Sequence, residues 1–286
     1  MEAGMFKTIM VGTDGSAGAE AAIQYAVWLA RQLQARLIVI HVTDIRILEG
    51  PLLADVAGAV GAQPYPAMLA QVKEFQSSRA TEILEAATES CQKQNIPCET
   101  VHETGSLVHT MLECEQRADL VVLGQRGEHA QWHRDMLGSL VERMVRGSTK
   151  PCLVVPEKYR VPQKILIAHD GSVESTKALK LGLNLATTLK TGVTLVTACQ
   201  SEQADMSARI LQDAHELALA RDIKPRAQLV HDNAENAILH EATAAEADLI
   251  VMGAYGRTRI REWILGSTTS HVLRKATVPV LLARGL

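Results

Sequence analysis

The chain has 286 residues, 47% of them hydrophobic, with a net charge of −3 at neutral pH. That length exceeds one ordinary compact core and suggests two domains, while the small negative charge and 3% aromatic content exclude the basic footprint and stacking platforms of a nucleic-acid binder. No apolar run reaches the roughly 18 residues of a membrane-spanning helix, and the start Met1-Glu2-Ala3-Gly4-Met5 lacks the basic-then-apolar order of a secretory leader, so a cytoplasmic location is expected.

Taken in chain order, strands and helices alternate. Residues 6–12 form a short apolar run ending at Gly12, as a buried strand does. Ser16 caps a helix whose apolar positions Ala22, Ile23, Ala26, Val27, Leu29, Ala30 and Leu33 recur at helical spacing. A second strand at 37–42 is apolar on both faces, the mark of a parallel sheet covered by helices. Then come helix 72–94, strand 97–102, helix 106–117, strand 119–124, helix 138–146 and strand 152–155. The order repeats as strand 164–169, helix 173–189, strand 193–198, helix 205–221, strand 226–231, helix 235–246, strand 248–253, helix 267–275 and strand 279–283. Alternating β and α segments give an α/β fold with doubly wound parallel sheets. The five cysteines (Cys91, Cys98, Cys114, Cys152, Cys199) form no CxxC and are read as reduced thiols.

The two sets are copies of one another. Thr13-Asp14-Gly15-Ser16 recurs as His169-Asp170-Gly171-Ser172, and Leu123-Gly124-Gln125-Arg126-Gly127 recurs as Met252-Gly253-Ala254-Tyr255-Gly256. Pro151-Cys152-Leu153-Val154-Val155 recurs as Pro279-Val280-Leu281-Leu282-Ala283. A period of domain size means duplication rather than a solenoid. The expected division is 1–158 and 159–286, joined through Tyr159-Arg160-Val161-Pro162-Gln163. The first copy carries an insertion at 43–70, rich in Gly and Pro, which reads as a lid, an interface or a solvated loop.

In open α/β sheets ligands bind at the carboxyl ends of the strands. In the second copy Asp170 follows the first strand there, Gly253 and Gly256 follow the fourth, and Gly266-Ser267-Thr268 opens the last helix after nine residues, Arg257 to Leu265. Glycines let backbone N–H groups approach phosphate oxygens, and the helix start adds unpaired donors and a positive dipole end. Arg257, Arg259 and Arg261 add positive charge. This is a nucleotide site without a Walker lysine, since no GxxxxGK[ST] occurs.

The DGS turn, the G-x2-G-x9-G-[ST] pattern and the closing Val-Pro-Val-Leu-Leu strand, in that order and nearly twice, resemble the universal stress protein family. The resemblance covers almost the whole chain. It implies two tandem Rossmann-like five-stranded sheets, of the adenine nucleotide alpha hydrolase type, paired through their last strands as an internal pseudo-dimer. It also implies an adenine nucleotide ligand, ATP with or without Mg2+, in members that keep the glycines. The corresponding residues are Asp170, Ala198 (backbone beside the adenine), Met252, Gly253, Gly256, Arg257, Gly266, Ser267 and Thr268. In the first copy they are Asp14, Val42, Leu123, Gly124, Gly127, Gly138, Ser139 and Leu140. The first copy departs from the pattern: ten residues, Glu128 to Leu137, separate its last two glycines, and Glu128 and Asp135 disfavour a triphosphate.

Plainer readings accompany these. Ser16 and Ser172 cap helices, and no GxSxG elbow is present. Asp14 and Asp170 also suit a turn with no ligand. His41 and His169 read as packing residues that support the site. His129 and His133 have a helical metal-ligand spacing but no third ligand at diagnostic spacing. Three functions fit: a nucleotide-binding stress sensor or adaptor with a protein partner; a slow ATPase or a protein phosphorylating itself on Ser267 or Thr268; and a nucleotide-free module docking through 43–70. Pairing of the whole chain into a homodimer stays open at this stage.

Overall fold

The computed structural model describes residues 5–44, 65–127, 137–200, 204–254 and 265–284. The first half runs β1 (Thr8–Gly12), α1 (Ala17–Leu33), β2 (Arg36–Asp44), α2 (Tyr65–Lys93), β3 (Cys98–Gly105), α3 (Leu107–Cys114), β4 (Leu120–Gly124), α4 (Ser139–Gly147) and β5 (Cys152–Val155). The second runs β6 (Lys164–Ala168), α5 (Val173–Leu189), β7 (Gly192–Ala198), α6 (Ala204–Leu219), β8 (Arg226–Val230), α7 (Ala234–Ala244), β9 (Leu249–Gly253), α8 (Ser267–Lys275) and β10 (Val280–Ala283).

Strand residues alternate between two cores. Ile9 and Val11 face the cluster roofed by α1, α2, α5 and α6, while Met10 faces the one floored by α3, α4, α7 and α8. Burial on both faces is why the central strands read as unbroken apolar runs. The strands form one sheet in the order β3-β2-β1-β4-β5-β10-β9-β6-β7-β8. Every neighbouring pair is parallel except β5 and β10, which pair antiparallel with Val154 opposite Val280 and Cys152 opposite Leu282. The two five-stranded sheets thus join through their last strands into one ten-stranded sheet, as a pseudo-dimer. In each half the strand order reverses beside the first strand, between β1 and β4 and between β6 and β9.

Equivalent residues brace the two halves. The Asp119 carboxylate accepts from the Lys7 and Thr8 amides at 2.8 and 3.0 Å, and Asp248 from those of Gln163 and Lys164 at 3.1 and 3.3 Å. The segment between β5 and β6 lies on α1. Buried Tyr25 accepts there from the Arg160 amide at 3.0 Å and meets the Tyr159 ring edge-on at 4.8 Å.

The halves also close one another's last helices, with different residues. Gln125 Nε2 donates to the carbonyls of Leu273 and, at 3.3 Å, Ala276 at the end of α8. Arg284 Nη1 donates to the carbonyls of Val145 and, at 2.9 Å, Arg146 at the end of α4. A cation at a helix C-terminus meets the negative end of the dipole. Arg284→Ala should therefore lower stability by about 1–3 kcal/mol, the usual worth of charge-assisted hydrogen bonds. A urea titration checks this; an unchanged midpoint would mean that the bonds contribute nothing net.

Three segments differ from the sequence expectation. Helix α2 begins at Tyr65, earlier than 72, with Pro66 in its first turn. Proline is tolerated there because the first-turn N–H has no intrahelical acceptor. Strand β2 reaches Asp44, so the expected 43–70 insertion starts in a strand and ends in a helix; 45–64 lies outside the described residues. Strand β3 extends to Gly105 as a polar sheet edge, with Glu99, His102 and Glu103 exposed.

Candidate functional site

Each half builds the same turn at the carboxyl end of its first strand. Asp14 Oδ1 accepts from the Ser16 amide, and Asp170 Oδ1 from the Ser172 amide, both at 2.9 Å. Ser16 and Ser172 then cap α1 and α5, accepting from Ala19 N and Ser175 N at 3.2 Å. Between them Gly15 and Gly171 adopt φ of +80° and +79°, a left-handed conformation costly for any residue with a Cβ. Both serines are thus helix caps, and both aspartates order the turn.

Behind the turn the copies exchange residue types. In the first half the His41 ring, through Nδ1, donates to the Thr13 carbonyl at 2.9 Å; in the second, Thr197 donates to the His169 carbonyl at 2.8 Å. These are the same two positions with histidine and threonine swapped, which supports the packing reading of both histidines. Burial pushes the His41 pKa below its usual value, His102 and Arg79 act in the same direction, and Asp14 and the bond to Thr13 oppose them. The folded state then prefers neutral His41. Its contribution is present above the unfolded-state pKa near 6.5 and is lost as pH falls from there toward the folded value. His41→Thr, which copies the second half, should flatten the fall in stability between about pH 7 and 5; one proton bounds the difference at about 1.4 kcal/mol per pH unit. Parallel curves for the two proteins would contradict this.

The second feature is an open helix start. Gly138 and Gly266 occupy the N-cap positions of α4 and α8, and among the described residues neither helix has a side-chain capping bond. Helices α1 and α5 have theirs, from Ser16 and Ser172. The first-turn N–H groups of α4 and α8 therefore offer an anion site that those of α1 and α5 do not. Ser139 and Ser267 are exposed beside it, and Leu140 and Thr268 are half-buried.

Glycines bring the rest of the site close. A Cβ on Gly127 would lie 2.7 Å from Asp14 Oδ2, so the glycine after β4 and the carboxylate after β1 adjoin. A Cβ on Gly253 would meet the backbone of Glu174 and Ser175 at 2.9 Å. Ala198 ends β7 half-buried, while Val42 is buried two residues before the end of β2. Leu123 and Met252 point into the core, at 2% and 5% exposure, which leaves only their backbone to the site. Gly256, Arg257, Arg259 and Arg261 lie outside the described residues, as do Glu128, His129, His133 and Asp135.

One acidic residue escaped the sequence reading. Glu235, in the first turn of α7, accepts from the Thr268 hydroxyl at 3.1 Å. No spacing rule joins it to the glycine pattern; only the packing of α7 on α8 does. Burial raises the Cys152 thiol to about 12, so it stays protonated. Among the described residues no group of three or more histidines, cysteines or carboxylates could hold a metal, and no helix is long and apolar enough to cross a membrane.

Comparison with known proteins agrees with this architecture. The model of the universal stress protein family matches residues 5–156 and again 162–284. A curated universal stress protein of Synechocystis is 32% identical over 97% of this chain and 100% of its own length. One from Mycobacterium tuberculosis is 27% identical over 96% of each chain. The crystal structure of a universal stress protein from Archaeoglobus fulgidus superposes with a TM-score of 0.76 over 98% of this chain and 99% of its own, at 19% identity, a likeness of fold. The repeated DGS turns, the open starts of α4 and α8, and two matches of the family model lead to one conclusion: the chain belongs to the universal stress protein family and carries the family's unit twice.

Proposed function

We propose that the chain binds an adenine nucleotide, ATP by preference, at the strand ends of its second half, and that it works as a stress-response sensor or adaptor. The observation that carries this reading is the open start of α8, a glycine-capped helix N-terminus tied by Thr269 to the Ala254 carbonyl just after β9, where the start of α5 packs on Gly253. Phosphates would take the N–H groups of Gly266, Ser267 and Thr268 together with the Ser267 hydroxyl. The adenine would lie along the backbone of Ala198 and Met252, with Asp170 accepting from the ribose. Gly256 and Arg257, which continue the same glycine pattern in the sequence, are assigned to the phosphate side by the family resemblance alone. Asp14, Val42, Leu123, Gly124, Gly127, Gly138, Ser139 and Leu140 form the equivalent set in the first half, where the longer loop and its acidic residues weaken triphosphate binding. Binding of the nucleotide changes which protein docks.

Calorimetric titration of the ligand-stripped chain with ATP and Mg2+ tests the reading. One site per chain is the expected result, from the second half. Two sites would show that the first half absorbs its extra residue. Absence of heat together with absence of thermal stabilisation would overturn the reading.

A further inference from the structure

The two helix starts differ at one pair of positions. In the first half Val108, opening α3, and Leu140, opening α4, both pack with the apolar cluster beneath the sheet. The second half has Glu235, opening α7, and Thr268, opening α8, at those positions. Both are half-buried, and the Thr268 hydroxyl donates to Glu235 Oε2 at 3.1 Å. The apolar pair shows that packing α7 on α8 does not require a carboxylate.

That carboxylate stands at the lip of an anion site. It is held in the positive field of its own helix start, and α8 begins beside it. It also takes up the Thr268 hydroxyl, which a phosphate would otherwise use. A bare phosphate arriving there meets a like charge, and repulsion at that range is large where solvent is partly excluded. A divalent cation would remove the conflict, because carboxylate and phosphate oxygens are the hard donors that Mg2+ takes. The donor set therefore fits such an ion.

Resting on the nucleotide reading above, we propose that Glu235 makes the second half selective for the magnesium-bound form of the nucleotide and rejects the free polyanion. Glu235 acts here as a specificity-determining residue; the reading assigns it no bond-making step.

The test is calorimetric titration of the full chain with ATP, in Mg2+ and in chelator, comparing the unaltered protein with Glu235→Gln. The first half contributes equally to both. Glutamine keeps the shape and can still accept from Thr268, and an unchanged unfolding midpoint without ligand verifies the fold. The unaltered chain should lose about tenfold or more in affinity when Mg2+ is removed, and Glu235→Gln less than about threefold, the difference being about 1.4 kcal/mol for each factor of ten. A second variant, Glu235→Val with Thr268→Leu, reproduces the first half's pair and should be equally insensitive to Mg2+. The same Mg2+ dependence in all three proteins would overturn the role of Glu235 and leave the nucleotide site standing. No saturable heat in any of them, with or without Mg2+, would overturn the nucleotide reading itself.

Discussion

Gly18→Ala should destabilise the first half by about 1–3 kcal/mol, the range for overpacking a tight contact. Helix propensity alone gives the opposite sign, because alanine is favoured over glycine inside a helix by about 1 kcal/mol. Geometry decides between them. A Cβ on Gly18 would collide with the backbone carbonyl of Arg126, and one on Gly124 would lie 2.6 Å from the Gly18 carbonyl. The first turn of α1 thus rests directly on the end of β4, backbone against backbone. No rotamer change relieves such a clash; the helix must move away from the strand. That movement would also shift Gly127 away from the Asp14 carboxylate it adjoins. The second half has Glu174 at the position of Gly18, and there a Cβ on Gly253 meets backbone at 2.9 Å. Urea denaturation followed by circular dichroism measures the change. A variant as stable as the unaltered chain, or more so, would show that the contact relaxes at no cost.

Gly266→Leu separates binding from folding. Gly266 has φ −57°, and a Cβ there would find its nearest neighbour among the described residues, Thr269 Oγ1, at 3.8 Å. The described residues leave room for a side chain there, and the lost N-cap preference costs about 1 kcal/mol or less. The side chain would nevertheless stand over the first-turn N–H groups proposed to receive the phosphates. Nucleotide affinity of the second half should fall about a hundredfold or more, near 2.8 kcal/mol, with little change in the unfolding midpoint. Binding within about threefold of the unaltered chain would mean that the phosphates sit elsewhere. Gly253 offers no such separation, because its missing Cβ faces backbone and any substitution there disturbs the fold first.

Much of this architecture is legible in the sequence because its causes are local. The DGS turns require a left-handed glycine and a capping serine within four residues, and both copies show them. Strands buried on two faces announce themselves as apolar runs, so the parallel sheets follow. The pairing of the last strands is found as the family resemblance implies. What stayed hidden depends on which distant segments meet. Gln125 reaches α8 only because β5 and β10 bring the halves side by side, and no local pattern marks it. Arg284 does for α4 what Gln125 does for α8, with a different residue type, so comparing the copies does not reveal it either. Glu235 lies 33 positions from Thr268 and is joined to it by helix packing alone. The early start of α2 was obscured by Pro66, which usually marks a loop but suits a first turn.

The most direct test of the central claim is a crystal structure of the chain grown with ATP and Mg2+. The account predicts phosphates against the N–H groups of Gly266, Ser267 and Thr268, the adenine beside Ala198, and the ribose at Asp170. Nucleotide bound away from the ends of β6 and β9, or none at saturating concentration, would contradict it.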